Sequence, residues 1–119
     1  MPATDAEVRS IAVSPDGARL AAGLRYGALK TWATATWQQE LELPGEGDLC
    51  AVAFASPRRL VRSLGDWNRG GVVLIHDAAS GQPIARFPHT GEILSLAAAG
   101  ETLAAGAADR TVRVWTMPR

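Results

Sequence analysis

Few side chains in this sequence could perform chemistry. His89 and Asp109 could together orient a general base. Ser95 lies in an apolar run, and its spacing from these two residues is not that of an activated nucleophile. Metal binding needs clustered ligands, but the 2 His and 1 Cys show no ligand spacing, and no glycine-rich phosphate loop precedes a helix. The sequence therefore predicts no metal and no cofactor, and it leaves the His–Asp pair as the one catalytic possibility to test.

A short apolar pattern recurs along the chain and determines where these residues lie. The run Val8–Val13 recurs 41 residues later as Leu49–Phe54 and 44 residues after that as Ile93–Ala98. A second set of runs keeps the same order and ends at Trp32, His76 and Trp115. A fixed period of this size indicates one supersecondary unit used several times. We predict a single domain over residues 1–119, with repeats at about 6–45, 46–89 and 90–119.

The repeats are predicted to consist of strands, because short apolar runs alternate with turn residues and no helical period is sustained. The first repeat is predicted to contain strands Val8–Val13, Arg19–Gly23, Ala28–Trp32 and Trp37–Leu43. The second is predicted to contain Cys50–Phe54, Arg59–Ser63, Val72–His76 and Pro83–Phe87, and the third Ile93–Ala97, Thr102–Gly106 and Thr111–Trp115. The first strand of each repeat is apolar at most positions, so we expect it to be covered on both faces.

Several of these runs resemble the WD40 repeat. The runs that carry the resemblance are Ser14–Gly17, Leu20–Gly23, His76–Gly81 and Gly106–Trp115. The resemblance extends from about Ala6 to Met117 and implies a β-propeller, in which four-stranded antiparallel blades surround a channel. It therefore predicts an all-β fold of about three four-stranded blades in an open or partial ring.

The resemblance also implies a structural role for the His–Asp pair. The family ties each blade together with a His before the first strand, a Ser or Thr in the second, an Asp in the next turn and a Trp in the third. The third repeat matches this tetrad at His89, Asp109 and Trp115, with Ala105 in the hydroxyl position. The first repeat has Thr4, Tyr26 and Trp32 in the His, Asp and Trp positions, and the second has Gly45, Gly70 and His76. We therefore predict a structural network at His89, Asp109 and Trp115 rather than a catalytic dyad.

One turn departs from the repeat pattern. The turn Gly65–Gly71 is longer than its counterparts and contains Trp67, Asn68 and Arg69. Loops on a rigid scaffold often carry function, and Trp and Arg dominate binding hot spots. By the repeat alignment the same rim holds Arg25, Tyr26 and Arg110, so we predict that these six residues contact a partner. The alternative for Trp67 is that it covers an adjacent blade, and Trp37, on the opposite outer side, is expected to cover the outer strand.

Composition limits the class of partner. The 12 basic and 12 acidic residues give a net charge of +0, so nothing draws the chain to nucleic acid or to an anionic membrane surface. No apolar run approaches the length of a membrane span, and the single Cys excludes an internal disulfide. We expect a cytoplasmic protein whose partners are proteins.

Three repeats are too few to close a propeller, which typically has roughly 4 to 8 blades. The third repeat ends before an outer strand, and Met1–Asp5 is a poor replacement because it contains proline and little apolar surface. We expect an apolar flank on each end blade and an open edge on the last. Three explanations stay open: the chain is the C-terminal part of a larger propeller, it closes a ring by self-association, or it completes the propeller of a different chain.

These observations favour a protein-interaction scaffold. The chain is interpreted as a propeller segment that binds partner proteins through its rim loops, without catalysis. The alternative is a propeller enzyme or a small-ligand binder with its site at the mouth of the channel.

Overall fold

The computed structural model describes residues 4, 6–45, 51–66, 70–89 and 93–117, with only the backbone of Gly27, Asp66, Gly70 and His89. Its strands form three sheets, called blades 1 to 3. Blade 1 contains β1 (Val8–Val13), β2 (Arg19–Leu24), a 3-10 turn (Arg25–Gly27), β3 (Leu29–Ala33) and β4 (Gln39–Leu43). Blade 2 contains β5 (Val52–Ser56), β6 (Arg59–Asp66), β7 (Gly70–Asp77) and β8 (Pro83–His89). Blade 3 contains β9 (Ile93–Ala99), β10 (Thr102–Ala107) and β11 (Val112–Thr116).

Each blade is an antiparallel sheet whose strands pair in chain order, so that β11 is the edge of blade 3. Short turns set this order, as between β1 and β2, where Gly17 adopts φ 75 and its N–H donates to Ser14 O at 2.8 Å. The structure confirms the predicted fold: an open array of three antiparallel blades, with the open edge expected on the last. Apart from the turn Arg25–Gly27, the described residues form no helix. No helix among them is long and apolar enough to cross a membrane.

The hairpin between β6 and β7 corrects the predicted loop over Gly65–Gly71. Gly65 pairs with Gly71 and Asp66 with Gly70, so both ends of the predicted loop are strand. Glycines have no side chain to contribute to an alternating pattern, and the pairing is therefore invisible to hydrophobic periodicity. The result is a hairpin in which β6 continues three residues beyond its predicted end and β7 begins two residues before its predicted start.

Blade 1 also corrects the predicted outer strand. The strand begins at Gln39, and Trp37 belongs to the preceding turn with φ 58. Trp37 is 47% exposed, and the expectation that it covers the outer strand stays a prediction. A left-handed residue cannot continue an extended strand, which explains the later start.

Neighbouring blades pack face to face and bury apolar clusters between them. The cluster between blades 1 and 2 contains Ala21, Leu29, Val52, Phe54, Leu60 and Ala78. The cluster between blades 2 and 3 contains Ala55, Val61, Val73, Ile75, Ile93, Leu103, Ala105 and Met117. Blade 2 is thus covered on both faces, and the successive residues Leu60 and Val61 are both fully buried.

Hydrogen bonds between blades supplement this packing. The Ser10 hydroxyl of β1 accepts a hydrogen bond from Val52 N–H of β5 at 2.9 Å. Arg19 forms an ion pair with Glu40 at 3.0 Å, and its Nη1 donates to Pro57 O of blade 2 at 3.3 Å. These bonds hold the inner strands and the turns of adjacent blades in register.

The inner strands of the end blades are not covered on both faces, which corrects the prediction for β1 and β9. Among the three inner strands only β5 is covered on both faces, because its blade lies between the other two. Ile11 and Val13 of β1 are 65% and 57% exposed, and Val112 and Val114 of β11 are 73% and 65% exposed. These side chains confirm the apolar flanks expected on the two end blades.

Replacing Leu60 with Ala should lower the free energy of unfolding by about 2–5 kcal/mol, because the fully buried side chain would leave a cavity between two blades. Chemical denaturation at low protein concentration would measure the loss. Val114→Ala, on the exposed flank, is the matched control and should change it by only about 0.5 kcal/mol. A loss for Leu60→Ala as small as that of the control would show that the interface between blades 1 and 2 does not stabilise the fold.

Candidate interaction surface

The turn between β2 and β3 presents an exposed aromatic side chain on one rim. Tyr26 is 59% exposed and has φ 71, a conformation that few non-glycine residues adopt. The guanidinium carbon of Arg25 lies 5.0 Å from the centroid of the Tyr26 ring, within the range of a cation–π contact. Arg25 N–H donates to Glu7 O at 2.8 Å, and its side chain lies 3.9 Å from the Glu7 carboxylate. The aromatic ring is thus held beneath a cation that the backbone before β1 helps to fix.

Blade 3 has a turn of the same length on the corresponding rim. Leu24 N–H donates to Ala28 O in blade 1, and Ala107 N–H donates to Thr111 O in blade 3. In blade 3 the left-handed residue is Arg110, with φ 72, and it is exposed. The two turns therefore place Arg25, Tyr26 and Arg110 on the same rim of blades 1 and 3.

In blade 2 the corresponding turn joins β6 to β7, and the structure describes the chain up to Asp66 and again from Gly70. Trp67, Asn68 and Arg69 lie outside the described residues, so their contacts stay a prediction. β6, which leads to them, touches the turn Arg25–Gly27 of blade 1. Strand β6 is accordingly next to the turn that carries Tyr26.

The predicted tetrad of blade 3 is described in part. The Asp109 carboxylate accepts a hydrogen bond from Thr111 N–H at 3.0 Å and another from the Thr111 hydroxyl. The Trp115 ring packs against Phe87 of blade 2, with ring centroids 5.7 Å apart. The His89 side chain lies outside the described residues, so the link between His89, Asp109 and Trp115 stays a prediction.

Blade 2, where His76 takes the position of the tetrad Trp, contains a buried polar pair that the sequence analysis missed. Arg62 Nε donates to His76 Nε2 at 3.2 Å, and Arg62 Nη1 donates to Pro44 O, after blade 1, at 2.8 Å. His76 Nδ1 lies 3.0 Å from Gly81 O, so we assign its proton to Nδ1. The repeat alignment shows His76 in place of Trp, but an Arg in an apolar strand gives no sign of which blade it will face.

The pair changes the titration of His76. Burial lowers the pKa of His76 below its usual value of 6.5, and the positive charge of Arg62 lowers it further, whereas the hydrogen bond to Gly81 O opposes the shift. Because Nε2 accepts from Arg62, protonation of this nitrogen would remove the hydrogen bond and place two cations together.

Acidic residues in the turns on the other rim serve local geometry. The Asp77 carboxylate accepts hydrogen bonds from Ser80 N–H and Ala79 N–H, both at 2.9 Å, which lower its pKa below 3.8. Asp16 is held in the same way by the Ser14 hydroxyl and Ala18 N–H. In the part of the chain that the structure describes, no three His, Cys, Asp or Glu side chains group as metal ligands.

Comparison with known proteins places this architecture in a family. The family model described as "WD domain, G-beta repeat" matches residues 2–32 and 81–116, more than half of the chain. The chain belongs to the WD40 repeat family, whose members generally serve in protein interaction.

Two solved structures show the same fold at larger size. One is the structure of U3-55K and the other the crystal structure of the RRP9 WD40 repeats. Each is 26% identical to this chain, has a TM-score of 0.83, and matches over 99% of this chain and 36% of its own length. The chain thus spans about a third of these relatives, and its three blades correspond to part of a longer array.

Replacing Asp109 with Ala should lower the free energy of unfolding by about 1 kcal/mol, because Thr111 loses its acceptor. A tetrad further predicts that Asp109→Ala and His89→Ala have non-additive effects in a double-mutant cycle followed by denaturation. Tyr26→Gly, at the equivalent turn position of blade 1, should add normally to His89→Ala. Additive losses for Asp109 and His89 would show that no tetrad operates in blade 3.

The free energy of unfolding should decrease as the pH falls below 6.5. In this range the unfolded chain protonates His76 while the folded chain, with its lowered pKa, does not, so the unfolded state binds more protons. Denaturation of wild type and of His76→Gln would be measured between about pH 8 and pH 5.5, a range that spans the usual pKa of histidine. The comparison isolates the effect of His76, because His89 is present in both proteins. The difference in stability between the two should shrink toward low pH, and a pH-independent difference would contradict the assignment.

Proposed function

We propose that this chain is a protein-interaction scaffold that binds a partner through the rim carrying Tyr26. The candidate contacts are Arg25, Tyr26, Trp67, Asn68, Arg69 and Arg110. The observation that carries the proposal is the Tyr26 side chain, which is 59% exposed on a backbone at φ 71. A buried tyrosine would explain such a conformation by packing, whereas Tyr26 remains largely exposed among the described residues.

The restricted conformation of Tyr26 beside Arg25 favours a role in binding. The ring is already restricted by the turn and by the Arg25 guanidinium, so less side-chain entropy would be lost on association. Tyr and Arg are among the residue types that most often dominate binding energy. We infer that the rim supplies a preordered aromatic contact flanked by cations.

The charges on this rim suggest the chemistry of the partner surface. Arg25 is half exposed and shares Glu7 with Arg9 at 3.7 Å, so the blade 1 end of the rim carries two cations and one carboxylate. Arg110 adds an exposed cation on blade 3. A partner with an apolar pocket for Tyr26 and carboxylates near it would match both features.

The proposed mechanism requires no catalysis, and it would also operate if the chain were part of a longer array. The two solved relatives extend well beyond the matched part, so further blades in the same protein are one class of partner for the end faces. The rim turns face away from those end faces. Binding through the rim can therefore be tested separately from whatever covers the ends.

Tyr26→Gly should weaken partner binding by at least about 2 kcal/mol, a loss typical of a hot spot, while leaving the melting temperature unchanged or higher. Glycine accepts the left-handed backbone, so the change removes the ring without distorting the turn. Proteins captured by the wild-type chain would be identified, purified and titrated against each variant.

Trp37→Gly is the matched control, because it removes another exposed aromatic from a left-handed position on the opposite rim. At dilute concentration it should leave the affinity for the purified partner unchanged. If both variants, or neither, reduce the affinity, the rim with Tyr26 is not the binding surface.

A further inference from the structure

An arginine opens the second strand of both blade 1 and blade 2, but the two arginines have different surroundings. Arg19 is the first residue of β2, and Arg59 is the first residue of β6. In blade 1 the Arg19 guanidinium pairs with the Glu40 carboxylate of the outer strand at 3.0 Å. It also donates to Pro57 O of blade 2 at 3.3 Å, so its charge is compensated within the chain.

In blade 2 an isoleucine takes the position of Glu40. Glu40 is the residue of β4 that is skipped by the pairing with β3, and Ile84 is skipped in the same way on β8. Ile84 is 38% exposed. The place that offers a carboxylate in blade 1 therefore offers apolar surface in blade 2.

The Arg59 guanidinium lacks the partners that Arg19 has. Its Nη1, which in Arg19 donates to a carbonyl of the next blade, is buried without a hydrogen-bond partner among the described residues. Arg59 also forms no ion pair within the described part of the chain. Asp77 lies opposite on β7, but its Oδ1 accepts from the N–H groups of Ala79 and Ser80 at 2.9 Å. A partly buried cation without an acceptor is unfavourable, so this guanidinium favours a carboxylate from outside the chain.

The position of Ile84 is not one that a neighbouring blade covers. The Arg19–Glu40 pair lies beside blade 2, which has all four of its strands, and the two side chains are still 25% and 36% exposed. The carboxylate of that pair comes from the outer strand of its own blade, and blade 2 likewise has its own outer strand, β8. By this comparison, further blades of the same protein would neither cover Ile84 nor supply the acid that Arg59 lacks.

We propose that Arg59 and Ile84 form a contact site for an acidic segment of a partner protein. A carboxylate of that segment pairs with Arg59 as Glu40 pairs with Arg19, and an apolar side chain beside it packs on Ile84. Arg58, exposed one residue earlier, adds a second cation. The exposed isoleucine favours such a segment over a polyphosphate, which would leave the apolar surface uncovered.

A defined pair of peptides tests the site. The probe is the capped peptide Leu-Glu-Leu-Glu-Leu, and its control carries Gln in place of each Glu. Each is titrated into the 119-residue chain and followed by the NMR signals of β6 and β8. The acidic peptide should bind at least about tenfold more tightly, because only its acceptors are charged. Added salt should reduce the difference, since the contact is partly exposed.

Substitution of Ile84 separates the charge of the site from its apolar surface. Ile84→Glu supplies a carboxylate where Glu40 lies in blade 1, so it should occupy Arg59 and weaken binding of the acidic peptide by at least about tenfold. The melting temperature should not fall, because Ile84 is exposed. Ile84→Gln is the matched neutral control, and it should keep the preference for the acidic peptide. Arg59→Gln should remove that preference.

Glu40→Ile is the reverse test, and repulsion between peptide and protein cannot explain its result. It gives blade 1 the arrangement of blade 2, so the chain should then bind a second acidic peptide beside Arg19. Tyr26→Gly, on the other rim, should leave the peptide affinity unchanged. Equal affinity for the two peptides, a preference that Arg59→Gln or Ile84→Glu retains, or equally tight binding of inorganic phosphate would overturn the proposal.

Discussion

Face-to-face packing of adjacent blades is the interaction on which the rest of this structure depends. A single four-stranded sheet cannot bury its own two faces, so its apolar side chains are covered only where another blade lies against them. The fully buried Leu60 and Val61 point to opposite neighbours, and their burial requires both. The turns at the rim, including the one that holds Tyr26, join strands that this packing positions.

The regular part of the architecture could be predicted from the sequence. Alternating apolar runs and turn residues located the eleven strands of the described residues. The observed first residues of β1 (Val8), β6 (Arg59), β8 (Pro83) and β9 (Ile93) are the predicted ones. These elements follow from local signals, namely side-chain alternation and residues such as Gly17 that accept a left-handed backbone. The repeat period then specified that the strands form successive blades.

Features that depend on neighbours could not be read in the same way. The exposure of Ile11 and the burial of Val52 are opposite although both residues are apolar and occupy equivalent strands, because only one of them has a blade beside it. The cross-blade bond from Arg62 to Pro44 O joins segments whose proximity no local pattern encodes.

The hydrogen bond from Arg62 to Pro44 O has a consequence for assembly. Repeats that resemble one another can dock on the wrong neighbour during folding, a failure characteristic of repeat proteins. Blade 2 carries a buried guanidinium that donates to His76 of the same blade and to a carbonyl that follows blade 1, so a different blade in the place of blade 1 would remove the second of these acceptors. The apolar faces make blades adhere, whereas polar contacts such as this one favour the correct neighbour. It adds to an array of similar units a preference for one order of blades.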